Sequence, residues 1–360
     1  MENIKHESIR PTASEMGALW NTYMIESLVH HVFSYYLNHV EDQDVKNMLV
    51  TLVNETGDSV ELLESVFKQE NLPVPRGITS EDIMPDAPRL FSDKYYLIYN
   101  KNMARFAATT FSLAYTQSTR NDLRQFFRHY VNRLTIVDQQ VTELMLAKGI
   151  YTRPPAIPIP TRVDFVKDMS FFSGFFGRKR PLTAVEITHL FFNAQSNAVG
   201  KALMLGFSQV AKAKELKQYF IRGKEIANKF MGLFNEILVT EEMSITPSLD
   251  SDVTASTQSP FSDRLMLFHT NLLNSGGFGN YGVSFSASPR LDLALLYVRV
   301  LFQVGFYSKA GANLLIKNGW MEQPPSAPDR HALSMYHEDK SLIHQPAQKP
   351  INRKNDNSNE

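Results

Sequence analysis

Apolar residues recur every three to four positions over long stretches of this chain, beginning with Met16, Leu19, Tyr23, Phe33, Leu37 and Val40. That spacing predicts one buried face of an α-helix. Val45, Met48, Leu52, Ser59, Leu63 and Val66 form a second stripe between about Asp44 and Lys68, and two more helices are predicted over Asp93–Gln117 and Thr119–Lys148. Each runs for roughly seven turns. A few residues around Glu41–Gln43 join the first pair and a few around Ser118 join the second, so each pair is antiparallel. Between the pairs runs Asn71–Ser92, punctuated by Pro73, Pro75, Pro85 and Pro88. An extended crossover there gives a four-helix bundle the short, long, short connectivity of ferritin-like folds.

The pattern then repeats. Residues 91–155 align without a gap on residues 261–325, with twelve identities in sixty-five positions, among them Phe91/Phe261, Asp93/Asp263, Arg120/Arg290, Gly149/Gly319 and Pro154/Pro324. Ordinary composition would give about four. At an offset one residue larger, Thr12-Ala-Ser-Glu15 meets Thr183-Ala-Val-Glu186. The expected fold is therefore all-α, a tandem duplication of a ferritin-like four-helix bundle with a long crossover between helices two and three. The first bundle spans 10–155, a linker 156–180 and the second bundle 181–325. Residues 326–360 are polar, rich in Lys, Asn, Asp, His and Pro, and are expected to be disordered.

Composition narrows the classes of function. The 360 residues carry a formal net charge of zero and no cysteine, and 43% are hydrophobic. Without cysteine there is no disulfide scaffold, thiolate metal site or thiol nucleophile. Balanced charge supplies no broad basic field for a phosphate backbone, so nucleic acid is not an expected partner. No uninterrupted apolar run reaches the roughly 20 residues of a membrane span, and Met1–Glu15 lacks a signal-peptide core. The reading is a soluble, cytoplasmic protein.

A ferritin-like layout raises the possibility of a di-iron or di-manganese centre, which needs a carboxylate from each of two helices and a Glu-x-x-His pair from each of the others. The third helix of the first half has no Asp or Glu beyond its opening, and neither does its counterpart from Arg264 to Ala287. Glu186-Ile-Thr-His189 falls on a helix start, where Thr183 and Glu186 form a capping box, as Thr12 and Glu15 do in the first half. The remaining metal candidates are Glu26 and His30, four apart on one helix face, with Glu61 and His129 able to approach them from helices two and four. Their second-half equivalents, Asn197 and Lys201, cannot repeat such a site, so a polar layer is the favoured reading and no cofactor is expected; iron or manganese is the alternative.

Gly276-Gly-Phe-Gly-Asn-Tyr-Gly282 has dinucleotide-like spacing, but it lies inside a helical segment and not after a strand. Close helix approach, or a kink, explains it better. In the linker, Phe171, Phe172, Phe175 and Phe176 stand beside Arg178, Lys179 and Arg180. The favoured reading is that the rings fill the seam between the bundles while the cations stay solvated; peripheral membrane contact is the alternative.

Ser173-Gly-Phe-Phe-Gly-Arg-Lys-Arg-Pro181, Glu186-Ile-Thr-His-Leu190, Gly279-Asn-Tyr-Gly282 and Lys317-Asn-Gly-Trp-Met-Glu-Gln-Pro-Pro325 resemble a family of duplicated proteins from spore-forming bacilli. That family is the domain-of-unknown-function group 3231, in the ferritin-like superfamily. The resemblance implies tandem four-helix bundles over residues 10–330, a bacterial host and a possible forespore or spore-coat setting, and it brings no catalytic residue. The expected function is a non-enzymatic structural or interaction protein that associates with itself or with a protein partner. A metal-binding protein or oxidoreductase with its site in the N-terminal bundle is the alternative.

Overall fold

The computed structural model describes residues 9–174 and 179–335. Eight long helices carry the fold: α1 (Ala13–His39), α2 (Gln43–Gln69), α3 (Asp93–Gln117), α4 (Asn121–Ala147), α5 (Ala184–Val210), α6 (Lys214–Thr240), α7 (Asp263–Ala287) and α8 (Leu291–Lys317). They make two tandem four-helix bundles, α1–α4 and α5–α8, each with a long crossover between its second and third helices. Both bundles lie in one unit that ends at Glu322. From Gln323 onward a second unit carries the short helix α9 (Arg330–Met335). The tail read as disordered thus contains one helical turn and a half, and residues 336–360 lie outside the described residues.

Caps fix the helix ends as the sequence suggests. Thr12 and Thr183 accept from the backbone N–H of Glu15 and Glu186, whose carboxylates reach back to the threonine amides at 2.8 Å in both halves. Gly149 and Gly319 adopt φ of 66° and 68° just past α4 and α8, the left-handed conformation that only glycine enters without strain. Glu15 also reaches the start of α4, accepting from the amides of Thr119 (2.7 Å) and Arg120 (2.8 Å). One buried carboxylate therefore caps two helices at once. Burial opposes its ionisation, but these backbone donors outweigh burial and hold its pKa down at about 2.

The halves meet by reciprocal contacts between their crossovers. Ser92 donates from its amide to the carbonyl of Asp252 (2.9 Å) and from its hydroxyl to the carboxylate (2.8 Å); Ser262 does the same to Asp82, at 2.8 and 2.6 Å. Arg264 pairs with Asp82 and Lys94 with Asp252. The amide of Met84 donates to Pro260 and that of Thr254 to Leu90. Every one of these pairs is matched by its equivalent in the other copy, the signature of a self-complementary, two-fold interface within one chain. Beneath it lies a shared core in which Tyr35, Tyr36, Phe91, Tyr95 and Tyr99 pack with Phe207, Phe261 and Leu265. Separate apolar clusters fill the distal end of each bundle.

Among the described residues the seam is thus built by the crossovers with α1, α3, α5 and α7, without Phe171 or Phe172. Phe171 lies under the Arg180 guanidinium, 4.1 Å from ring centroid to Cζ, and neither it nor the exposed Phe172 joins the buried clusters. The two described cations are paired rather than free: Arg180 makes a bidentate bridge to Glu186 and Lys179 reaches Asp292. Phe175, Phe176 and Arg178 lie outside the described residues.

Candidate functional site: the bundle centres and the groove between them

Each bundle encloses a small central cavity at equivalent positions, about 60 Å³ in the first and 110 Å³ in the second. Glu26 lines the first and Asn197, its equivalent, the second. The buried Glu26 carboxylate faces Arg133 of α4, with Nη2 at 3.3 Å. Arg133 also donates to Ser59 Oγ (2.7 Å) and to the Glu55 carbonyl (3.1 Å), its Nε lies 3.6 Å from the Glu55 carboxylate, and its guanidinium stacks over Tyr130. Burial pushes the Glu26 carboxyl above the ordinary carboxylate value, against the pull of Arg133.

The four metal candidates do not converge. His30 turns its Nδ1 to the Val53 carbonyl and the Thr56 hydroxyl, both at 3.2 Å, while Glu61 and His129 are exposed. Among the described residues no group of three His, Asp or Glu side chains is placed to hold a metal ion. The cation beside Glu26 is the protein's own guanidinium. In the second bundle Asn197 donates to Tyr281 Oη (2.8 Å) and Lys201 pairs with Asp250. Arg133 lies four residues beyond His129 on the same face of α4, so helix spacing brings this cation, and not the imidazole, to Glu26.

A groove of about 850 Å³ opens between the bundles, walled by α1 and α3 on one side and α5 and α7 on the other. The glycine run of α7 forms part of its floor, and the helix passes through it without a break. Gly276 meets Phe106, its equivalent on α3: a Cβ there would fall 2.6 Å from the ring. At Gly279 the space is open. Close approach is therefore the role of the first glycine, and a second leaves room. His189 lies here too, its Nδ1 3.1 Å from Ser284 Oγ, which Asn193 also engages at 2.8 Å; burial lowers the pKa of this imidazole. From the opposite wall comes Arg105, stacked on Phe192 at 4.3 Å and donating to Gln195 Oε1 at 2.9 Å.

The outward face of α8 contrasts with its copy. Exposed Leu291, Leu295 and Phe302 stand where α4 has Asn121, Gln125 and Asn132, and Phe306 follows where α4 has Ile136. Phe302 and Phe306 are 66% and 67% exposed, unusual for rings. Among the described helices α8 alone is long and apolar enough to cross a membrane by length and composition, yet its other face, from Leu293 through Tyr297, Val300 and Val304 to Leu315, is buried in the bundle.

The family model described as "Protein of unknown function (DUF3231)" matches residues 1–163 and again residues 170–333. The chain belongs to the DUF3231 family. Its two matches coincide with the two bundles, so the DUF3231 unit is one four-helix bundle and this chain holds two. Among curated proteins none matches it. A solved structure from Bacillus halodurans C-125, carrying a provisional assignment as a spore coat protein, is similar at 19% identity, covering 44% of this chain and all of that one, with a TM-score of 0.37.

Proposed function

We propose that this DUF3231 chain is a non-enzymatic structural or interaction protein, built from two ferritin-like bundles that hold no metal and acting through the outward face of α8. The observation that carries the reading is the divergence of that face from its own copy. Duplication delivered two equivalent helices, and only one presents Leu291, Leu295, Phe302 and Phe306 to solvent. Clustered apolar exposure on one face costs solubility unless another surface covers it. A second copy of the chain is the simplest cover, since a helix with apolar residues at three- and four-residue steps packs well on itself.

The bundle centres support the non-catalytic half of the reading. Where a dinuclear centre needs anionic ligands, the first bundle carries a guanidinium held by Glu26, Glu55 and Ser59, and the second carries neutral amides and hydroxyls. A cytoplasmic or forespore setting in a spore-forming bacterium belongs to the same proposal and comes with the family resemblance.

Light scattering across a concentration series tests it. The full chain is expected to gain mass with concentration, and Phe302→Ser with Phe306→Ser to leave it monomeric at the same melting temperature. A wild-type chain that stays monomeric, or association indifferent to both substitutions, overturns α8 as the self-association face.

A further inference from the structure

Arg105 differs from most of the arginines packed into this fold; among the described residues Arg124, equally half-buried, also lacks a carboxylate but gives its guanidinium to the carbonyls of Tyr115 and Ser118. Arg89, Arg120, Arg133, Arg180, Arg264 and Arg290 each hold at least one carboxylate. Arg105, half-buried at the boundary between the second bundle's cavity and the groove, has none within ion-pair distance among the described residues. Asp138, the acid that acts on it from a distance, is engaged by Lys101 at 2.6 Å. A neutral amide takes one of its five N–H donors and a ring covers one face. Burial pulls its pKa below the ordinary arginine value, the mark of a charge without its counter-charge.

The groove around it has the chemistry of a receptor for one anion with a long apolar body. Among the described residues Arg105 is the single one with a charged side chain in its lining, which holds no Asp, Glu or Lys. Its equivalent in the second copy is Ser275, so the cation stands on one wall of the groove only. Away from Arg105 the walls along α3 and α7 carry Phe106, Leu113 and Val283 between the uncharged polar side chains of Thr109, Thr110, Asn280 and Ser284. From Arg105 to Gln117 the α3 wall spans about 18 Å, comparable to an extended fatty chain. The volume of about 850 Å³ falls in the range of small-molecule sites.

We propose that the groove between the bundles binds a long-chain carboxylic acid, its carboxylate on Arg105 and its hydrocarbon chain along α3 and α7 toward Leu113 and Val283. A single guanidinium already sharing one donor matches a singly charged carboxylate better than a doubly charged phosphate. The site is independent of the α8 face, so either reading can fail alone.

Isothermal titration of the full chain with palmitate, hexadecanol and hexadecyl phosphate tests the proposal. Palmitate is expected to saturate at one per chain and hexadecanol to bind at least tenfold more weakly. Arg105→Gln should lower palmitate affinity at least tenfold. Gly279→Trp, placed on an exposed stretch of α7 where the backbone leaves open space, should abolish it with the melting temperature unchanged, and it decides the matter if Arg105→Gln does not fold. Absence of saturable palmitate binding, or binding unchanged by either folded variant, overturns the site. Tighter binding of hexadecyl phosphate than of palmitate overturns the carboxylate.

Discussion

Tyr99 Oη and His269 Nε2 meet at 2.7 Å, 170 residues apart in the chain and at the same position in its two copies. A contact between equivalent residues falls on the two-fold axis of a duplicated protein, and here it lies where α3 meets α7 in the shared core. Both side chains are fully buried, and His269 Nδ1 has no partner among the described residues.

Burial of this imidazole has a measurable consequence. Desolvation lowers the His269 pKa to about 3, against an ordinary value of 6.5. Below pH 6.5 the unfolded chain takes up a proton that the folded chain refuses, so stability is full above 6.5 and is lost as pH falls towards 3. Between pH 7 and 5 the wild-type chain should lose about 2 kcal/mol more than His269→Gln, read by urea unfolding. Equal losses would place the proton elsewhere.

Glu15 behaves with the same sign for a different reason. Its pKa is held at about 2, so its contribution is complete above 4.5 and is lost as pH falls towards 2. Glu15→Gln should cost about 2 to 3 kcal/mol at neutral pH, because charge-assisted bonds to two helix starts are lost. The cost should shrink towards zero near pH 2, which paired denaturation curves at the two pH values will reveal.

Charge at the first bundle centre is replaceable only as a pair. Arg133→Gln alone strands the buried Glu26 and should destabilise by about 3 to 5 kcal/mol. The second copy already runs on neutral residues at these positions, Asn197 and Gln303. Glu26→Asn combined with Arg133→Gln should therefore recover most of that loss, and a double-mutant cycle measures the coupling. Additive losses would contradict the pairing.

At the groove floor, Gly276→Ala sets a methyl against the Phe106 ring and should cost about 1 to 3 kcal/mol. Phe106→Leu in the same chain should relieve part of it. Gly279→Ala, on the same helix but facing open space, should be neutral or slightly stabilising, since alanine favours helix over glycine by about 1 kcal/mol. Thermal melts of the three variants separate close approach from helix propensity.

Much of the architecture was legible in the sequence because it is local or periodic. Helix spans follow from apolar stripes, caps from Thr12, Glu15, Thr183 and Glu186, and the stops from Gly149 and Gly319. Self-similarity at an offset of 170 residues announced two bundles. What it did not announce is that the copies face each other: likeness says nothing of contact, and Asp82 with Ser262 or Asp252 with Ser92 are bonds between crossovers that no periodicity marks. The site was less legible still. Reading Glu26 and His30 as a pair followed helix spacing, whereas Glu26 turns to Arg133 on another helix and His30 to α2. Aligning the copies position by position would have exposed both the α8 face, through Leu291 against Asn121 and Phe302 against Asn132, and the lone Arg105 against Ser275.

Metal content bears most directly on the claim that these bundles act through their surfaces. Full-length protein purified from medium supplemented with iron and manganese is expected to carry neither in stoichiometric amount, because a guanidinium occupies the ligand-rich centre of the first bundle and amides that of the second. One metal ion or more per chain, lost when Glu26 and His30 are changed to Ala, would contradict the account.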